Sequence, residues 1–476
     1  MSEYALYIDG QAVAAKTAFP VVNPATGAVF AQAPLADAET VESAVAAAAR
    51  AFSATGWRDD ESLRRAALQT AAERLEAAQE VIARLITQEQ GRPLAFARAE
   101  VAGAVAVLRG HAALPLPEDV ILRDDTESLA RVERRPLGVV AAITPWNVPV
   151  ILLALKLAPA LLAGNTIVAK PSEITPLSTL RLAEAIGSAF PPGVFNVVSG
   201  AAETGRALAA HPAVRKIAFT GSVATGRALF RNAADDFKRL TLELGGNDAA
   251  LVLEDADPAL IAEKIFWGAF WNSGQICFAI KRLYVPAALQ KRLLEALLSR
   301  ARKTVVGDGL EEATELGPLT TATQLERVRA LVADAKSRGG VVHTGGRVPD
   351  AGFFYPPTLV TGLGSGTPLV DEEQFGPVLP LIPYTDAEAA LAEINANPYG
   401  LGASVWTSDV ERGLGIARRF ESGLSWVNEH QSLHPGTPKG GWKWSGLGYE
   451  GGREGLEAYR QLQVVHVARG AEGGHS

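Results

Sequence analysis

Apolar residues recur along this chain with two different spacings, and each spacing predicts its own secondary structure. Residues 41–52 and 62–86 carry apolar side chains every three or four positions, which predicts helices and makes the first hundred residues mostly helical. Residues 138–244 instead alternate short β-rich runs with helical stretches. This alternation is typical of βαβ units, so we expect a parallel sheet with a nucleotide site at the carboxyl ends of its strands.

The predicted elements fall into two α/β regions. In the first region, strands are expected at residues 139–143, 166–170, 195–199, 216–220 and 240–244, with helices ending near 162 and spanning 176–190, 203–210 and 223–234. In the second region, a helix is expected at 258–271, a strand at 282–285, a helix at 289–302, and short strands around Val341, Leu359, Leu379 and Val405. We therefore expect one domain from residues 1–115 and 137–245, and a second domain from 246–446.

Two further segments look extended. Residues 116–136 are polar, carry charges of both signs and alternate over 129–134, which predicts an excursion from the core or a solvated surface hairpin. Residues 462–467 predict a strand near the C-terminus, within a last segment of 460–476 that ends in a glycine-rich tail.

Composition excludes several classes of protein. A chain of 476 residues with 48% hydrophobic residues is long enough for two packed domains, and its net charge of −7 gives no basic surface for nucleic acid. The longest apolar run, residues 148–163, is interrupted by Lys156 and Pro159 and is shorter than the ~18 residues of a membrane span. The single cysteine fits a reducing compartment, and residues 1–10 lack a signal peptide pattern, so we expect a cytoplasmic protein.

That cysteine, Cys277, lies between the helix predicted at 258–271 and the strand at 282–285. A free cysteine is most often a small buried apolar residue, and Cys277 alone favours that interpretation. Its position on a connection between regular elements is also where catalytic groups are often held. The ends of the predicted strands decide between the two interpretations.

Polar residues or glycines follow three of these strands. Asn147 comes after the first, Lys170 and Glu173 after the second, and Gly221, Ser222 and Gly226 open a helix after the fourth. A helix start of this kind can hold a phosphate, while a lysine and a glutamate suit ribose hydroxyls. Each has a plainer alternative: an Asx turn at Asn147, a surface ion pair at Lys170 and a capped turn at Ser222.

Glu243 ends the fifth strand. Its neighbours in the run are apolar, and buried carboxylates are rare unless they are paired or functional. The alternative is an exposed glutamate on an edge strand, since alternation places it opposite Leu242 and Leu244.

In their order and spacing, these motifs resemble the NAD(P)-dependent aldehyde dehydrogenase family over nearly the whole chain. The blocks are Pro145-Trp146-Asn147, Lys170-Pro171-Ser172-Glu173, Gly221-Ser222-x-x-x-Gly226, Glu243-Leu244-Gly245-Gly246, Gly274-Gln275-Ile276-Cys277, Glu373-Gln374-Phe375-Gly376-Pro377 and Ser445-Gly446-Leu447-Gly448. The resemblance implies a Rossmann-like NAD-binding domain, a second α/β catalytic domain and a small β oligomerisation arm. It also implies that the two arm segments, 116–136 and 460–476, bridge subunits, and we expect them to pair between subunits in a homodimer or homotetramer.

The resemblance further implies roles for individual residues. Cys277 would attack the aldehyde as a thiolate, Asn147 would stabilise the oxyanion, and Glu243 would activate water to hydrolyse the thioester. Lys156 and Glu450 match positions of a proton relay, although Lys156 could instead snorkel from its helix. The implied NAD contacts are Thr144, Trp146, Lys170, Ser172, Glu173, Gly221, Ser222, Thr225, Leu244, Glu373 and Phe375. NAD is expected to be preferred over NADP because the carboxylate of Glu173 repels a 2′-phosphate, and no metal site is expected.

The substrate pocket departs from the family's pattern. Lys439 stands where the family usually has an aromatic residue, and bulky Phe278 follows Cys277. The residues expected to line the entrance are Val148, Ile151, Leu155, Trp271, Ile276 and Phe278, which favour an apolar or aromatic aldehyde. Lys439, His430 or His434 could instead meet a substrate carboxylate. Two other functions stay open: a CoA-acylating semialdehyde dehydrogenase, for which Glu243 would be superfluous, and a non-catalytic protein on the same fold.

Overall fold

The computed structural model describes residues 4–54, 56–434 and 436–469, and within them the chain starts with strands rather than helices. These strands are β1 (Leu6–Ile8), β2 (Gln11–Val13), β3 (Thr17–Asn23) and β4 (Ala28–Leu35). The expectation of a mostly helical first hundred residues was therefore wrong for this part. Strands of three residues are too short to show an alternation of apolar and polar side chains. The sequence feature that marks β1 and β2 is the Asp9-Gly10 turn between them, whose φ angles of 53° and 79° are typical of a tight hairpin.

Four helices follow: α1 (Ala38–Ala54), α2 (Glu61–Ala77), α3 (Gln79–Gln90) and α4 (Leu94–Ala113). The single helix predicted at 62–86 is two helices, because Ala78 has a ψ of 3° and interrupts the run after Ala77. Alanine is the best helix former, so its sequence position gives no sign of a break.

The first α/β region agrees closely with its predicted elements. After the strands β5 (Val120–Asp124) and β6 (Ser128–Pro136), it comprises β7 (Val139–Ile143), α5 (Pro149–Leu162), β8 (Thr166–Lys170), α6 (Leu177–Ile186), a short 3₁₀ turn (Gly187–Ala189), β9 (Phe195–Val197), α7 (Ala202–Ala210), β10 (Val214–Thr220), α8 (Val223–Ala233) and β11 (Arg239–Glu243).

The remaining elements follow β11 along the chain, and most of them form the second region. They are β12 (Asp248–Val252), α9 (Pro258–Phe270), a 3₁₀ turn (Trp271–Gly274), β13 (Ile280–Pro286), α10 (Gln290–Lys303), α11 (Ala322–Ser337), β14 (Val341–Thr344), β15 (Thr358–Thr361), α12 (Pro368–Asp371), β16 (Val378–Tyr384), α13 (Ala387–Ala396), β17 (Tyr399–Gly400), β18 (Gly402–Trp406), α14 (Val410–Ala417), β19 (Leu424–Val427), β20 (Trp442–Lys443), β21 (Gly446–Leu447), α15 (Gly452–Glu457) and β22 (Arg460–Ala468).

The first sheet has the order β2-β1-β9-β8-β7-β10-β11-β21. Strands β7 to β11 run parallel, with β8 on one side of β7 and β10 on the other. The chain therefore changes direction across the sheet between β7 and β10, and such a switch point opens a crevice at the carboxyl ends of the strands. This Rossmann-like arrangement confirms the predicted fold class.

The second sheet has the order β14-β15-β16-β13-β12-β18-β19, and all its neighbours are parallel except β14 and β15. Two apolar clusters cover its faces: Ala249 and Leu251 of β12 lie in one, Ala250 and Val252 in the other. The predicted domain boundaries stay predictions. Gly446, expected to end the second domain, pairs in β21 with Glu243 of the first sheet.

The predicted arm is a three-stranded sheet in the order β22-β6-β5. Both segments pair antiparallel within one chain, so the expected pairing of one with the other between subunits was wrong. Strand β5 is exposed along its whole length, and the sheet presents apolar side chains to solvent, namely Val120, Ile121, Leu122, Leu462, Val464 and Val467. Residues 470–476 of the predicted arm, and the glycine-rich tail within them, lie outside the described residues.

Among the described residues, none of the helices combines the length and the apolar content that crossing a membrane requires.

Candidate active site

A cavity of 380 Å³ lies at the switch point of the first sheet. The segments after β7, β10 and β11 form one wall, and residues of the second region form the other. Its lining residues are Pro145, Trp146, Asn147, Thr220, Gly221, Ser222, Val223, Ala224, Leu244, Gly245, Cys277, Gln324, Arg327, Glu373, Phe375 and Tyr399. The structure thus brings together residues of five motif blocks that are far apart in sequence.

The loop before Cys277 has an unusual backbone. Asn272, Ser273 and Gly274 have φ angles of 52°, 55° and 73°, so three successive residues are left-handed. Two of them are not glycine, a conformation that persists only where surrounding contacts hold it. Ser273 Oγ donates to the carbonyl of Gly317 at 2.7 Å, and a Cβ on Gly274 would lie 2.3 Å from the carbonyl oxygen of Gly376.

Lys281 fixes the other side of this loop. Its buried ammonium group donates to the carbonyls of Ile276 at 2.8 Å and Cys277 at 2.6 Å, and lies 3.5 Å from Glu373 Oε1. The sequence interpretation gave Lys281 no role, because a lysine four residues after Cys277 has no recognisable signature. The loop is therefore anchored through its carbonyls while the Cys277 side chain lines the cavity.

The surroundings of the Cys277 thiol favour its protonated form. Burial raises its pKa to about 12, against the opposing charges of Lys281 and Lys439. The thiolate is the reactive form of cysteine, so attack on a carbonyl requires a group that removes the proton.

Asn147 is placed beside the Cys277 loop. Its Nδ2 donates to the carbonyl of Gln275 at 2.9 Å, which leaves the second N–H of the amide free for another acceptor. The backbone carbonyl of Asn147 accepts a hydrogen bond from Arg92 Nη2. Arg92 in turn forms a buried ion pair with Glu100 at 2.6 Å. Arg92 and Glu100 were missed from the sequence because nothing in it distinguishes them from the exposed charges around them.

Glu243 is buried, with 6% of its surface exposed. Strand β11 lies between β10 and β21, so the alternative of an exposed edge-strand glutamate was wrong. Its Oε1 has no hydrogen-bond partner. Burial and then the negative charge of Glu450 raise its pKa above the ordinary carboxyl value of 4.5, as expected for a carboxylate held ready to accept a proton.

Lys156 and Glu450 meet behind Glu243. Lys156 Nζ donates to Glu450 Oε1 at 2.5 Å and to Thr220 Oγ1 at 2.6 Å. The side chain of Lys156 is 0% exposed, so it does not snorkel toward solvent. Thr220 lines the cavity, which gives the pair a hydrogen-bonded connection toward the site.

The predicted nucleotide contacts divide into two groups. Trp146, Gly221, Ser222, Leu244, Glu373 and Phe375 line the cavity, and the rings of Trp146 and Phe375 meet edge-on at 5.3 Å. Ser222 caps α8 by accepting from the backbone N–H of Thr225. Thr144 is buried after β7, and Lys170, Ser172 and Glu173 follow β8, where Lys170 Nζ lies 3.5 Å from Glu173 Oε2. Gln324, Arg327 and Tyr399 also line the cavity but belong to no motif block.

One of the predicted substrate residues, Trp271, lines a second cavity of 580 Å³, and Ile151 and Leu155 lie on α5. Trp271 lines this cavity together with Phe96 and Trp267, whose rings pack edge-on. Four other predicted substrate residues are half-buried, namely Val148, Ile151, Leu155 and Phe278. The other residues of α5 are buried. Ile276 is only 2% exposed and packs into the interior.

The histidines near this side differ in exposure. The side chain of His430 is buried, and its Nε2 hydrogen-bonds the carbonyl of Phe278, the residue after Cys277, at 2.9 Å. His434 is exposed.

Comparison with known proteins gives a consistent result. The profile of the aldehyde dehydrogenase family matches residues 11–465. A phenylacetaldehyde dehydrogenase of Pseudomonas fluorescens is 39% identical, over 97% of this chain and 95% of the relative. A hydroxyisobutyraldehyde dehydrogenase of Mycolicibacterium austroafricanum is 37% identical, over 97% and 93%.

Solved structures agree. The structure of betaine aldehyde dehydrogenase from Staphylococcus aureus in complex with NAD+ superposes with a TM-score of 0.95 at 30% identity, over 100% of this chain and 97% of that one. An aldehyde dehydrogenase from Bacillus cereus superposes with a TM-score of 0.95 at 34% identity, over 98% and 97%.

Fold and site together define an α/β enzyme with a nucleotide-type crevice that a cysteine lines. The chain belongs to the aldehyde dehydrogenase family.

Proposed function

We propose that this oxidoreductase converts an aldehyde to the carboxylic acid with reduction of NAD, through a thioester on Cys277 that water hydrolyses. One observation carries the proposal: the thiol of Cys277 and the amide of Asn147 line one cavity, and Leu244, the residue after the buried Glu243, lines it too. These are the parts that attack, charge stabilisation and proton removal require.

The first step is attack on the aldehyde. Glu243 takes the thiol proton, directly or through water, and the sulfur of Cys277 forms a bond to the carbonyl carbon. The free N–H of Asn147 and the backbone N–H of Cys277 then stabilise the oxyanion, because donors fixed in advance cost no reorganisation when the charge develops. Arg92 holds the backbone of Asn147, and Lys281 holds the loop of Cys277.

The cavity fits the cofactor. The capped start of α8 supplies free amides for phosphate, Glu373 presents a carboxylate for ribose hydroxyls, and Trp146 and Phe375 offer apolar surface to a planar ring. When bound, NAD supplies the hydride acceptor that turns the thiohemiacetal into the thioester.

Hydrolysis then requires Glu243 as a base. The carboxylate removes a proton from water, which attacks the thioester carbon and releases the acid and the Cys277 sulfur. Lys156 and Glu450 provide the hydrogen-bonded route by which protons leave. A CoA-acylating enzyme would not need this base, and a non-catalytic protein would not need the anchored loop, so the buried, unpartnered Glu243 favours hydrolysis.

The experiment that tests the function is an assay of the purified protein with a panel of aldehydes, NAD and no CoA. We expect NADH formation, and higher kcat/KM for aldehydes with aromatic or apolar groups, because Phe96, Trp267 and Trp271 line the second cavity. The relatives are named for aldehydes of different polarity, so their names do not decide the substrate preference. The expected preference for aromatic or apolar aldehydes is based on the cavity alone. Oxidation that occurs only when CoA is added would contradict the hydrolytic route.

Glu173 is proposed to set the preference for NAD over NADP. Its side chain is 47% exposed and lies beside Lys170, where we place the adenosine ribose. The 2′-phosphate of NADP would meet the negative charge of Glu173 and would replace the hydrogen bond from the ribose hydroxyl to this carboxylate. A loss of about 1–3 kcal/mol is typical of an unpaired polar group, which is about 5- to 150-fold in kcat/KM. In Glu173→Gln, the ratio of kcat/KM with NAD to kcat/KM with NADP is expected to fall toward one.

The matched control is Glu184→Gln, which removes the same charge from a similar surface ion pair, with Arg181 on α6. It is expected to leave the ratio unchanged. Equal use of both cofactors by the wild type would contradict the role of Glu173.

We also propose a cytoplasmic homo-oligomer, a dimer or a dimer of dimers, assembled through the arm. The exposed apolar residues of the sheet β22-β6-β5 and its free edge at β5 support this, because an uncovered strand edge favours pairing with another chain. Light scattering at micromolar concentration measures the assembly, and a monomer would contradict it.

A further inference from the structure

Cys277 lies in a tight turn that its own backbone closes. Cys277 and Phe278 are the central residues of a β-turn over residues 276–279, in which the N–H of Ala279 donates to the carbonyl of Ile276 at 3.1 Å. That carbonyl and the N–H of Cys277 belong to one planar peptide, and the peptide bonds of the described residues are trans, so the two groups point in opposite directions. The direction of the Cys277 N–H therefore depends on the hydrogen bond that closes the turn.

Two side chains hold the carbonyl groups of this turn. Lys281 Nζ donates to the carbonyls of its first two residues, at 2.8 and 2.6 Å. The next carbonyl, that of Phe278, is hydrogen-bonded by His430 Nε2 at 2.9 Å. The carbonyl of Phe278 and the N–H of Ala279 share one peptide plane. His430 thus holds one side of the plane whose other side closes the turn.

The ring of His430 can only donate in this contact. Its side chain is 0% exposed and packs against Trp426, with the ring centroids 4.7 Å apart. Burial lowers its pKa to about 3, so the ring is neutral and carries one proton. A carbonyl oxygen only accepts, so this proton is on Nε2, while Nδ1 has no partner. The carboxyl of Asp248 lies 3.8 Å from Nε2, which is too far for a hydrogen bond.

The loop that carries His430 also forms a wall of the second cavity. Residues 429–432 line that cavity, and Gln431 Nε2 donates to the carbonyl of Gly268 on α9 at 2.8 Å. Asn428 and Gln431 have left-handed φ angles of 57° and 67°, which persist only where surrounding contacts hold them. His430 therefore connects a fixed wall of the second cavity to the backbone beside Cys277.

We propose that His430 is a positioning residue, which holds the carbonyl of Phe278 and thereby aims the backbone N–H of Cys277 at the oxyanion. The proposal rests on the proposed function of Cys277. It assigns His430 to the geometry of the reaction rather than to recognition of a substrate carboxylate, because its one N–H is already engaged within the protein.

Two variants separate the ring of His430 from its N–H group. His430→Phe keeps a ring of similar size against Trp426 but removes the donor, whereas His430→Gln loses the ring and places an amide N–H near the position of Nε2. In His430→Phe, kcat is expected to fall about tenfold with the KM for butanal within about twofold, because a misaligned N–H weakens binding of the transition state more than binding of the aldehyde. In His430→Gln, kcat is expected to stay within about threefold of the wild type, because the donor is kept.

His111→Phe is the matched control. His111 is a buried histidine of α4 whose Nδ1 hydrogen-bonds the carbonyl of Val107 at 2.8 Å and whose Nε2 has no partner, and it lines neither cavity. Loss of a buried hydrogen bond destabilises both phenylalanine variants, but only His430→Phe is expected to lower kcat. An unchanged kcat in His430→Phe overturns the proposal, and so does an equal fall in His430→Phe and His430→Gln, because the ring rather than its N–H would then matter.

A measurement on the wild type keeps the proposal testable if His430→Phe does not fold. NMR of the labelled histidine nitrogens, with His430 assigned by comparison with His430→Gln, is expected to show a neutral ring with its proton on Nε2. A proton on Nδ1 overturns the proposal, since Nε2 could then not donate to Phe278.

A role in substrate recognition would give a different result. The proposal is overturned if both His430 variants raise the KM for succinic semialdehyde and not for butanal, because His430 then receives a substrate carboxylate. The position of the ring proton is measured without aldehyde or cofactor, whereas the proposed function fails if the wild type forms no NADH. Failure of this proposal and failure of the proposed function are therefore distinguishable.

Discussion

Cys277→Ala is expected to abolish aldehyde oxidation and to leave the Kd for NAD within a few-fold of the wild type. The variant removes the atom that bonds to the aldehyde carbon, and no other cysteine exists to replace it. The proposed cofactor contacts come from other segments, namely the ends of β7, β8 and β10 and the region of Glu373 and Phe375. Quenching of tryptophan fluorescence measures NAD binding, because Trp146 lines the cavity.

Cys277→Ser is the matched control, since it keeps the shape and a polar atom but replaces the thiol with a hydroxyl whose ionised form is far less accessible. It is expected to be as inactive as the alanine variant while binding NAD normally. Substantial NADH production by Cys277→Ala would show that another group attacks the aldehyde, and would end the thioester mechanism.

The core of the fold could be predicted from the sequence because its signals are local. Strands β7 and β8 are short buried runs bounded by turns, and the predicted residues 139–143 and 166–170 agree with them. The hairpin β1–β2 was missed because each strand has three residues, below the length at which a period shows. Pairing of the arm segments within one chain could not be predicted, since a strand's sequence does not specify the chain that supplies its partner.

Much of the candidate site could also be predicted, because its residues sit at the ends of strands that a parallel sheet brings to one edge. Residues that act through others could not. Arg92 reaches Asn147 across 55 positions, and its charge is indistinguishable in sequence from those of neighbouring exposed arginines. Lys439 shows the same limit: the sequence left open whether it meets a substrate or a protein carboxylate, and only its 3.6 Å approach to Glu450 favours the latter.

Glu243→Gln is expected to stop the reaction at the thioester. Glutamine keeps the shape of the side chain but cannot accept the proton of the attacking water, and a placed base is typically worth roughly 10²–10⁴ in rate. Because the variant also lacks the group that takes the thiol proton, it is assayed at high pH, where the Cys277 thiol can lose its proton to solvent and acylation then depends on Cys277 and Asn147. The expected kinetics are one burst of NADH per active site, then a steady state slowed by that factor.

The pH dependence of the wild type follows from the same residue. Because burial raises the pKa of Glu243, the carboxyl is protonated and inactive as a base below that pKa and becomes active above it. The steady-state rate is therefore expected to fall as the pH is lowered, with a midpoint above the ordinary value of 4.5 for a glutamate. In Glu243→Gln, the rate of deacylation is expected to lose this dependence on pH.

Mass spectrometry of the quenched Glu243→Gln variant is expected to show the acyl group on Cys277, and added CoA is expected to leave the slow turnover unchanged. Glu254→Gln is the control, because it removes a glutamate whose side chain is 62% exposed and paired with Arg412 at the surface. It is expected to turn over like the wild type. Normal turnover by Glu243→Gln would exclude it as the base, whereas rescue by CoA would show that the acyl group passes to a thiol acceptor. The buried carboxyl, unpartnered at Oε1, at the end of β11 would then need another explanation.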